Sequence, residues 1–365
     1  MADESRHSPR VRADVGRGYN PRLPMLAAGI IITTVAVAIA AFFYYMTVVP
    51  GRPYTGPLPP LTTAEAETAA RLRTHIEAIA HGPRNLFYDA ALEKAAQYIE
   101  AELSALGYRP MPQIFEVAGR PVRNIEAVIE AADPAKSRGT IVVGAHYDSF
   151  GDAPGANDNG TGTAAVIELT RLLADLRGRS DLRIRLVLFV NEEPPYFRST
   201  DMGSYRYARR LAERGEALIG MVSLETMGCF LDAPGSQRYP PPFSLLYPDK
   251  GDFIAFVGTL KSRNFLHALI RSFRAHTAFP SAGGVAPGFV PGIDWSDHWS
   301  FERFGYPAVM VTDTAPFRYA HYHQATDTPD KVDHAKLARV THGLERVIRD
   351  MASPAWPTRA VSPRG

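Results

Sequence analysis

The segment GTIVVGAHYDSFGDAPGANDNGTGTAAVIELTRLLADLRG, residues 139–178, begins with a short apolar run, continues through His146 and Asp158, and ends in apolar residues at helical spacing. Two similar apolar runs follow, LRIRLVLFV at 182–190 and LIGMVSL at 218–224, with a second helical pattern between them. Short β-branched runs that alternate with helices are typical of parallel strands buried on both faces. The sequence therefore predicts an α/β fold, with a mixed and mainly parallel central sheet flanked by helices.

Metal-binding side chains stand at the downstream ends of the predicted strands, the edge at which open α/β sheets bind their ligands. There are five of them: His146, Asp158, Glu193, Glu225 and His323. Two imidazoles and three carboxylates can provide a bridging oxygen and outer ligands for two hard cations about 3.5–4 Å apart. Cys229 is the only cysteine, which excludes a structural zinc site made of thiolates. This order of residues predicts a hydrolase with two Zn2+ ions per chain.

Two further acids are predicted to take part in catalysis. Successive side chains diverge at a strand end, so Glu193 can reach a metal while the adjacent Glu192 faces the bound water as general base. Zinc lowers the pKa of such a water from about 15.7 to about 7, which makes hydroxide available at neutral pH. Asp148, two residues after His146, is placed to accept a hydrogen bond from the second imidazole nitrogen and to fix its tautomer.

Six motifs occur in one order along residues 63–351: HYDS, GANDNGTG, NEE, LETMG, SDHWSF with GYPAVMVTDT, and YHQATDTPDKVD. Together they resemble the co-catalytic zinc aminopeptidases, whose superfamily also contains glutamate carboxypeptidases and glutaminyl cyclases. The resemblance implies a zinc-exopeptidase fold of the phosphorylase/hydrolase-like kind, with Asp158 as the bridge between two zinc ions and Glu192 as the base. It also implies that the remaining ligands, divided between the two ions, are His146, Glu193, Glu225 and His323.

Three features bear on how closely the chain follows this family. Glu225 stands where the aminopeptidases usually have Asp, and the extra methylene changes the reach of the carboxylate. The insertion PPYFRSTDM, residues 194–202, separates the glutamate pair from Gly203 and leaves the substrate side of the site undefined. The family also tends to hold a cis peptide after the bridging acid, here between Asp158 and Asn159, a conformation that costs about 3–4 kcal/mol outside proline.

Each candidate has a structural alternative. Asp158 lies among asparagines and glycines, and seen alone this stretch is as compatible with a plain turn as with a metal bridge. His321 and His298 compete with His323 for the role of final ligand, which the family motif gives to His323. We expect Asp297 and His298, in the SDHW motif, to support the ligands and not to bind the metal.

The N-terminus carries a charge-free apolar stretch at residues 25–49. As a helix, its 25 residues would extend about 37 Å, enough to cross a hydrocarbon core of about 30 Å. Five arginines precede this stretch and only Arg52 follows it closely, so the positive-inside rule places the N-terminus in the cytoplasm and the catalytic domain outside. A cleaved signal peptide is the alternative, with Ala-Ile-Ala at 38–40 as the candidate processing site.

The predicted organisation has five parts. They are a cytoplasmic tail at 1–24, a transmembrane signal anchor at 25–49, a Pro-rich stem at 50–62, a zinc peptidase domain at 63–352 and a disordered tail at 353–365. Long loops at 232–251 and 280–295 are rich in Pro or Gly and are expected to shape the substrate pocket. The formal net charge of +2 is carried by the N-terminal tail, and the near-neutral remainder argues against nucleic acid as a partner.

These features predict a membrane-anchored zinc aminopeptidase that acts on peptides outside the cytoplasm. A cluster of carboxylates near the metals favours a substrate ammonium group over a substrate carboxylate. Arg198 and Arg318 are the candidate cations that a carboxypeptidase would need instead. Two other functions stay open at this point: a glutaminyl cyclase with a single zinc, and a catalytically inactive receptor-like domain on the same fold. The oligomeric state is left unassigned.

Overall fold

The computed structural model describes residues 22–363, which divide into two compact units with the boundary between Tyr45 and Met46. Helix α1 (Arg22–Thr47) contains a segment, Ala28–Thr47, that is long and apolar enough to cross a membrane, with a mean hydropathy of 2.0. The predicted apolar helix is therefore confirmed, whereas its insertion and orientation stay predictions. Most of the predicted cytoplasmic tail, with the arginines before Arg22, lies outside the described residues.

The second unit is built on one eight-stranded sheet. Its strands are β1 (Met111–Val117), β2 (Arg120–Ile129), β3 (Thr140–His146), β4 (Arg183–Phe189), β5 (Leu218–Glu225), β6 (Ile254–Thr259), β7 (Ser281–Ala286) and β8 (Ala308–Thr312). The strand order is β1-β2-β4-β3-β5-β8-β6-β7. Strand β3 runs parallel to β4 and β5, β5 to β8 and β6 to β7, while the other neighbours are antiparallel. The predicted mixed, mainly parallel sheet is confirmed.

Helices cover both faces of this sheet. Five of them contribute to the larger hydrophobic cluster: α2 (Thr63–Ile79), α3 (Asp89–Ala105), α4 (Thr161–Leu172), α6 (Arg263–His276) and α8 (His334–Met351). Two contribute to the smaller cluster, α5 (Gly203–Glu213) and α7 (His298–Arg303). Along β3, Ile141 and Val143 belong to the larger cluster and Val142 to the smaller, because alternate side chains of a strand point to opposite faces. This burial on both faces explains the continuous apolar runs.

The predicted Pro-rich stem and the tail that was expected to be disordered both contact the second unit. The stem lies along the second unit, where Arg274 donates hydrogen bonds to the carbonyls of Pro50 (3.0 Å) and Gly51 (2.9 Å). In the tail, Trp356 is buried in the larger cluster and Val361 pairs with Leu218 at the start of β5. Backbone pairing and one large apolar side chain hold the described part of the tail, and neither is evident from its polar, Pro-rich composition.

The predicted loop at 280–295 also contains a strand. Its residues Ser281–Ala286 form β7, which pairs with β6 at the edge of the sheet. Strand interiors rarely contain glycine, and Gly283 and Gly284 therefore hid this strand from sequence analysis. The rest of the segment is irregular, as expected.

Candidate metal centre

The ligand candidates meet because parallel strands end at one edge of the sheet. His146 is the last residue of β3 and pairs in register with Phe189, the last residue of β4. Glu192 and Glu193 follow β4 closely, and Glu225 ends β5. All four candidate side chains are buried. Four titratable groups from three strands thus share one buried rim.

Asp158 lies between two histidine–carboxylate pairs. Its Oδ1 is 3.4 Å from Nε2 of His146, and that nitrogen is 3.3 Å from Oε2 of Glu225. Its Oδ2 is 3.1 Å from Nε2 of His323, which is 3.4 Å from Oε2 of Glu193. The structure therefore brings all five predicted ligands together, with each oxygen of Asp158 facing one pair.

These atoms lie close together, but several of them have no hydrogen-bond partner in the described part of the chain. Nε2 of His146, Oδ2 of Asp158 and Oε1 of Glu193 are buried and have no hydrogen-bond partner among the described residues. Ligand atoms of the same three residues lie within 4.8 Å of one another. Burial raises the pKa of Glu193 to about 8, and the charge of Asp158 adds to the rise although His323 opposes it. Buried ligand atoms without hydrogen-bond partners, together with closely spaced acids, fit a site for divalent cations.

Asp148 holds two strand ends together. Its Oδ1 lies 3.5 Å from Nδ1 of His146, the contact expected of a group that fixes the imidazole tautomer. Its two oxygens also accept the backbone N–H groups of Glu192, at 3.1 Å, and of Glu193, at 3.2 Å. The carboxylate of Glu192 comes within 3.8 Å of Nε2 of His146. Asp148 thus fixes both glutamates relative to the histidine, a role that sequence analysis missed.

The loop that carries Asp158 is buried and tied to a second acid. The peptide between Asp158 and Asn159 is cis, as the resemblance implies. Asp327 accepts the backbone N–H groups of Asn157 (2.9 Å) and Asp158 (3.0 Å), and it also accepts the hydroxyl of Tyr319 at 2.7 Å. A buried loop that faces two histidines is not the plain turn that its composition also allowed.

Arg84 supports the preceding part of this loop. Its guanidinium donates to the carbonyl oxygens of Tyr147 (2.6 Å), Gly155 (2.8 Å) and Pro154. Burial lowers the pKa of Arg84 to about 10, against the opposing effect of Asp148 and other acids, so the group stays charged at neutral pH. Sequence analysis missed this residue because an arginine after Gly-Pro looks like an exposed loop residue.

His323 is oriented by aromatic stacking. Its ring stacks on Phe150, with centroids 4.0 Å apart, and on Tyr322, with centroids 3.8 Å apart. His323 also adopts a positive φ of 58°, which turns the chain sharply at this point. His321 instead contacts the Thr326 hydroxyl through Nδ1, at 2.8 Å. Of these two histidines, it is His323 that lies against Asp158 and Glu193.

The SDHW segment lies behind Glu225. Ser296 donates a hydrogen bond to Oε2 of Glu225 at 2.7 Å. Asp297 is fully buried, and burial raises its pKa to about 7 although the charge of His146 opposes the rise. His298 donates from Nε2 to the carbonyl of Ile293 at 2.8 Å. Neither Asp297 nor His298 belongs to the two pairs around Asp158, as expected of supporting groups.

An apolar pocket opens beside Glu225. Both predicted loops contribute to its wall, with Tyr239 and Phe243 from one and Trp295 from the other. Met310 of β8 is another lining residue. The expectation that these loops shape a pocket next to the site is consistent with this arrangement.

The two candidate cations are both engaged with protein groups. Arg198, in the insertion, forms an ion pair with Asp294. Arg318 is buried and donates to the carbonyl oxygens of Gly251 and, at 2.8 Å, Phe253. Neither guanidinium points freely toward a substrate carboxylate.

An α/β sheet with a rim of histidines and carboxylates at the carboxyl ends of its parallel strands defines the class of metal-dependent hydrolases. The model of Peptidase family M28 matches residues 124–348, and this chain belongs to that family. The chain is a zinc metallopeptidase. Its similarity to uncharacterized protein YfbL of Escherichia coli (strain K12) is 39% identity, over 69% of this chain and 78% of the relative.

More distant similarities agree with this assignment. A probable leucine aminopeptidase of Trichophyton verrucosum is 23% identical over 75% of this chain and 71% of its own length. The aminopeptidase from Aneurinibacillus sp. strain AM-1 superposes with a TM-score of 0.59 at 17% identity, over 82% of this chain and 96% of that one. The glutaminyl cyclase of Fimbriiglobus ruber gives a TM-score of 0.57 at 21% identity, over 83% and 99%. The last two similarities show the fold.

Proposed function

We propose that this zinc metallopeptidase is a membrane-anchored aminopeptidase that holds two zinc ions. The observation that carries the proposal is the position of Asp158, each of whose oxygens faces a separate histidine–carboxylate pair. His146 with Glu225 would hold one ion, and His323 with Glu193 the other. A single tetrahedral zinc would not need this duplicated set of ligands. No ligand type is missing, which argues against an inactive receptor-like domain.

The remaining acids of the rim suit the chemistry of amide hydrolysis. Metal ions in this site would polarise the scissile carbonyl and lower the pKa of a water to about 7. Glu192 is assigned as the general base, which takes the proton of the attacking water and delivers it to the leaving amine. Asp148 would keep Glu192 in place through its backbone N–H and keep His146 in one tautomer.

The polarity of the rim favours recognition of a free N-terminus. Two Zn2+ would offset most of the charge of the four rim carboxylates, those of Asp158, Glu192, Glu193 and Glu225, but an ammonium group could still pair with a carboxylate oxygen there. A carboxylate terminus would need a free cation. The two arginines considered for that role are engaged elsewhere, which supports the aminopeptidase assignment over a carboxypeptidase.

The pocket beside Glu225 supports a preference for an apolar first residue. Its lining includes Phe243, Val257, Met310 and Trp295, which offer a mainly apolar surface to a substrate side chain. The fungal relatives named as probable leucine aminopeptidases are consistent with this preference. We infer that leucine, methionine or an aromatic residue is removed faster than alanine or lysine.

The proposal of membrane anchoring is supported by the apolar part of α1, Ala28–Thr47, and by the excess of arginine before it. The enzyme would then act on peptides outside the cytoplasm, with its N-terminus inside. Full-length protein should stay in the membrane during carbonate extraction, and protease added to intact spheroplasts should reach its C-terminus. Release of a mature form that begins near residue 41 would indicate a cleaved signal peptide.

The decisive experiment combines metal analysis with a blocked substrate. We expect detergent-purified full-length protein to hold two zinc ions per chain and to hydrolyse a leucine-initiated peptide. The same peptide with an acetylated N-terminus should not be cleaved. One zinc at saturation, with cyclisation of glutaminyl peptides, would instead establish the cyclase function. Cleavage that needs a free C-terminus would establish a carboxypeptidase, and full metal loading without turnover of any of these peptides would point to the inactive domain.

A further inference from the structure

Two uncharged segments of the catalytic unit, one a loop and the other β7 with the loop after it, expose large apolar side chains. Residues 239–248 and 281–293 contain no charged residue, and we call these two segments together the apolar lip. Leu245 in the first segment is 84% exposed and Phe289 in the second is 87% exposed, while Leu246 is 50% exposed. Single exposed apolar residues are ordinary on protein surfaces. A group of them on uncharged loops requires an explanation.

The two segments of the apolar lip are joined to each other. The hydroxyl of Tyr247 donates a hydrogen bond to the carbonyl of Gly283 at 3.1 Å. Both segments also contribute to the wall of the apolar pocket, Phe243 from the first and Val290 from the second. The apolar lip is therefore one surface, and it shares residues with the wall of the pocket that lies next to Glu225.

The catalytic unit begins at this same surface. Met46, the first residue of this unit, and Tyr247 both pack closely on Gly284 of β7. A Cβ atom built on Gly284 would lie only 3.0 Å from the Met46 carbonyl oxygen and would clash with the Tyr247 hydroxyl. A few residues on, Arg274 binds the carbonyl oxygens of Pro50 and Gly51, and also that of Ser281 at 2.9 Å. The point at which the chain leaves its apolar segment is thus fixed against β7.

The opposite edge of the sheet serves as an internal comparison. Ile114 of β1 is also well exposed, at 67%, but it lies on the edge strand farthest from β7 in the strand order. Glu116, two residues on, places a charge on the same face of this strand, as on an ordinary solvated face. The charges nearest to Leu245 and Phe289 in sequence, Asp249 and Asp294, instead lie outside the apolar lip. Within residues 46–363, exposed apolar side chains on uncharged segments combine with the start of the catalytic unit only at the apolar lip.

We propose that the apolar lip contacts the outer leaflet of the bilayer in which the N-terminal helix is anchored. The inference rests on the membrane anchoring proposed above. Apolar side chains without neighbouring charges partition into the boundary between headgroups and acyl chains, where they are buried by about 5–10 Å. Because Met46 is the penultimate residue of the apolar segment Ala28–Thr47 and lies beside Gly284, insertion of that segment would bring this surface to the membrane. The pocket then opens beside the lipid surface, so peptides adsorbed through an apolar N-terminal residue reach it without crossing bulk water.

The test uses spin labels on the full-length chain reconstituted in phosphatidylcholine vesicles with a minor fraction of phosphatidylglycerol. Cys229, the only native cysteine, is buried, so a nitroxide can be directed to Leu245→Cys, Phe289→Cys or the matched control Ile114→Cys. The measurement is the ratio of collisions with molecular oxygen to collisions with a water-soluble nickel chelate. Flotation of each labelled sample on a density gradient reports anchoring independently.

We expect the collision ratio at positions 245 and 289 to be several-fold higher than at position 114. Equal ratios at all three positions in protein that floats with the vesicles would overturn the lipid contact and leave the anchor intact. Low accessibility to both reagents, with dipolar broadening between labels, would show that a second copy covers the surface, and this too would overturn the proposal. Protein that does not float would remove the anchor and the contact together, whatever its peptidase activity.

Discussion

Two groups of buried acids in this molecule are neutralised in different ways. On the side of the sheet covered by α5, Arg185 binds Glu216 at 2.8 Å and also Glu126, and Arg210 approaches Glu126 at 3.3 Å. Tyr207 adds a hydrogen bond of 2.7 Å to Glu126. Each of these carboxylates thus has a guanidinium beside it. No guanidinium forms an ion pair with a carboxylate of the metal rim among the described residues.

This difference indicates which group of acids is structural and which is a binding site. A buried charge is costly unless it is paired and hydrogen-bonded, so a folded protein supplies the counter-charge where the acid serves the fold. At the rim, the acids are paired only with two histidines, and several of their ligand atoms stay without a hydrogen-bond partner. Bound cations would supply the missing positive charge. The comparison can be tested by removing one member from each group.

The largest effect is expected for Glu192→Gln. The amide keeps the shape of the side chain but cannot accept a proton, so kcat should fall by about 10^2–10^4-fold. Zinc content and the unfolding midpoint should stay at the wild-type level, because Glu192 is not assigned as a ligand. Elemental analysis and steady-state kinetics on the same preparation check this.

The adjacent Glu193→Gln is the matched control. Because Glu193 faces His323 at 3.4 Å and is assigned as a ligand, this variant should lose bound zinc as well as activity. If instead Glu192→Gln lost zinc and Glu193→Gln kept it, the roles of base and ligand would be exchanged.

Arg185→Met tests the self-neutralised group, which we define as the buried acids that have arginines beside them. The change leaves Glu126 and Glu216 with much of their charge unpaired in the protein, so the free energy of unfolding should fall by about 3–5 kcal/mol. Arg209→Met, on the exposed side of α5, removes an arginine that pairs with the exposed Glu213, and it should cost only about 0–1 kcal/mol. Urea denaturation of both variants measures the difference. Equal losses would mean that the loss of stability does not depend on whether the acid left behind is buried.

Zinc removal tests the acids of the rim, which form no ion pair with an arginine among the described residues. A ligand that binds only the folded state at 100 to 1,000 times its Kd stabilises that state by about 3–4 kcal/mol, so a chelator should lower the unfolding midpoint of the wild-type protein. Asp158→Asn weakens the proposed bridge, and its midpoint should respond much less to the same chelator. A wild-type unfolding midpoint that does not change when chelator is added would contradict the view that the rim depends on bound cations.

The metal-binding residues of the rim could be predicted from sequence better than the elements that surround them. His146, Glu193 and Glu225 are visible because metal chemistry requires particular residue types and because each follows a buried apolar strand. The choice of His323 over His321 relied on the family motif, since nothing local distinguishes two histidines in one loop. These residues depend on strand order, which short-range patterns specify well.

The elements that sequence analysis missed have no such signal. Strand β7 contains Gly283 and Gly284 and so lacks the large side chains that mark a strand. Arg84 and Asp327 act through the carbonyl and N–H groups of a distant loop, and backbone contacts of this kind leave no trace in residue type. Phe150 acts by stacking on a histidine far along the chain. Such contacts become apparent only in the folded structure.

The smallest effect is expected at a third buried acid, Glu168 of α4, which belongs with the self-neutralised group. Burial alone would raise its pKa, but hydrogen bonds from His75, Arg171 and Arg71 lower it from 4.5 to about 2. A carboxyl whose pKa is lower in the folded state stabilises the fold fully above its unfolded pKa, and this contribution disappears as the pH falls from about 4.5 toward 2. Glu168→Gln cannot titrate, so its stability should change less over that interval, by about 2 kcal/mol relative to wild type. Both proteins should be unfolded with urea at pH 6 and pH 3 in the presence of chelator, so that acid release of zinc from the rim does not contribute. Parallel losses of stability in the two proteins would show that Glu168 is not set apart by its cationic neighbours, and the contrast between the two groups of acids would then rest on the rim alone.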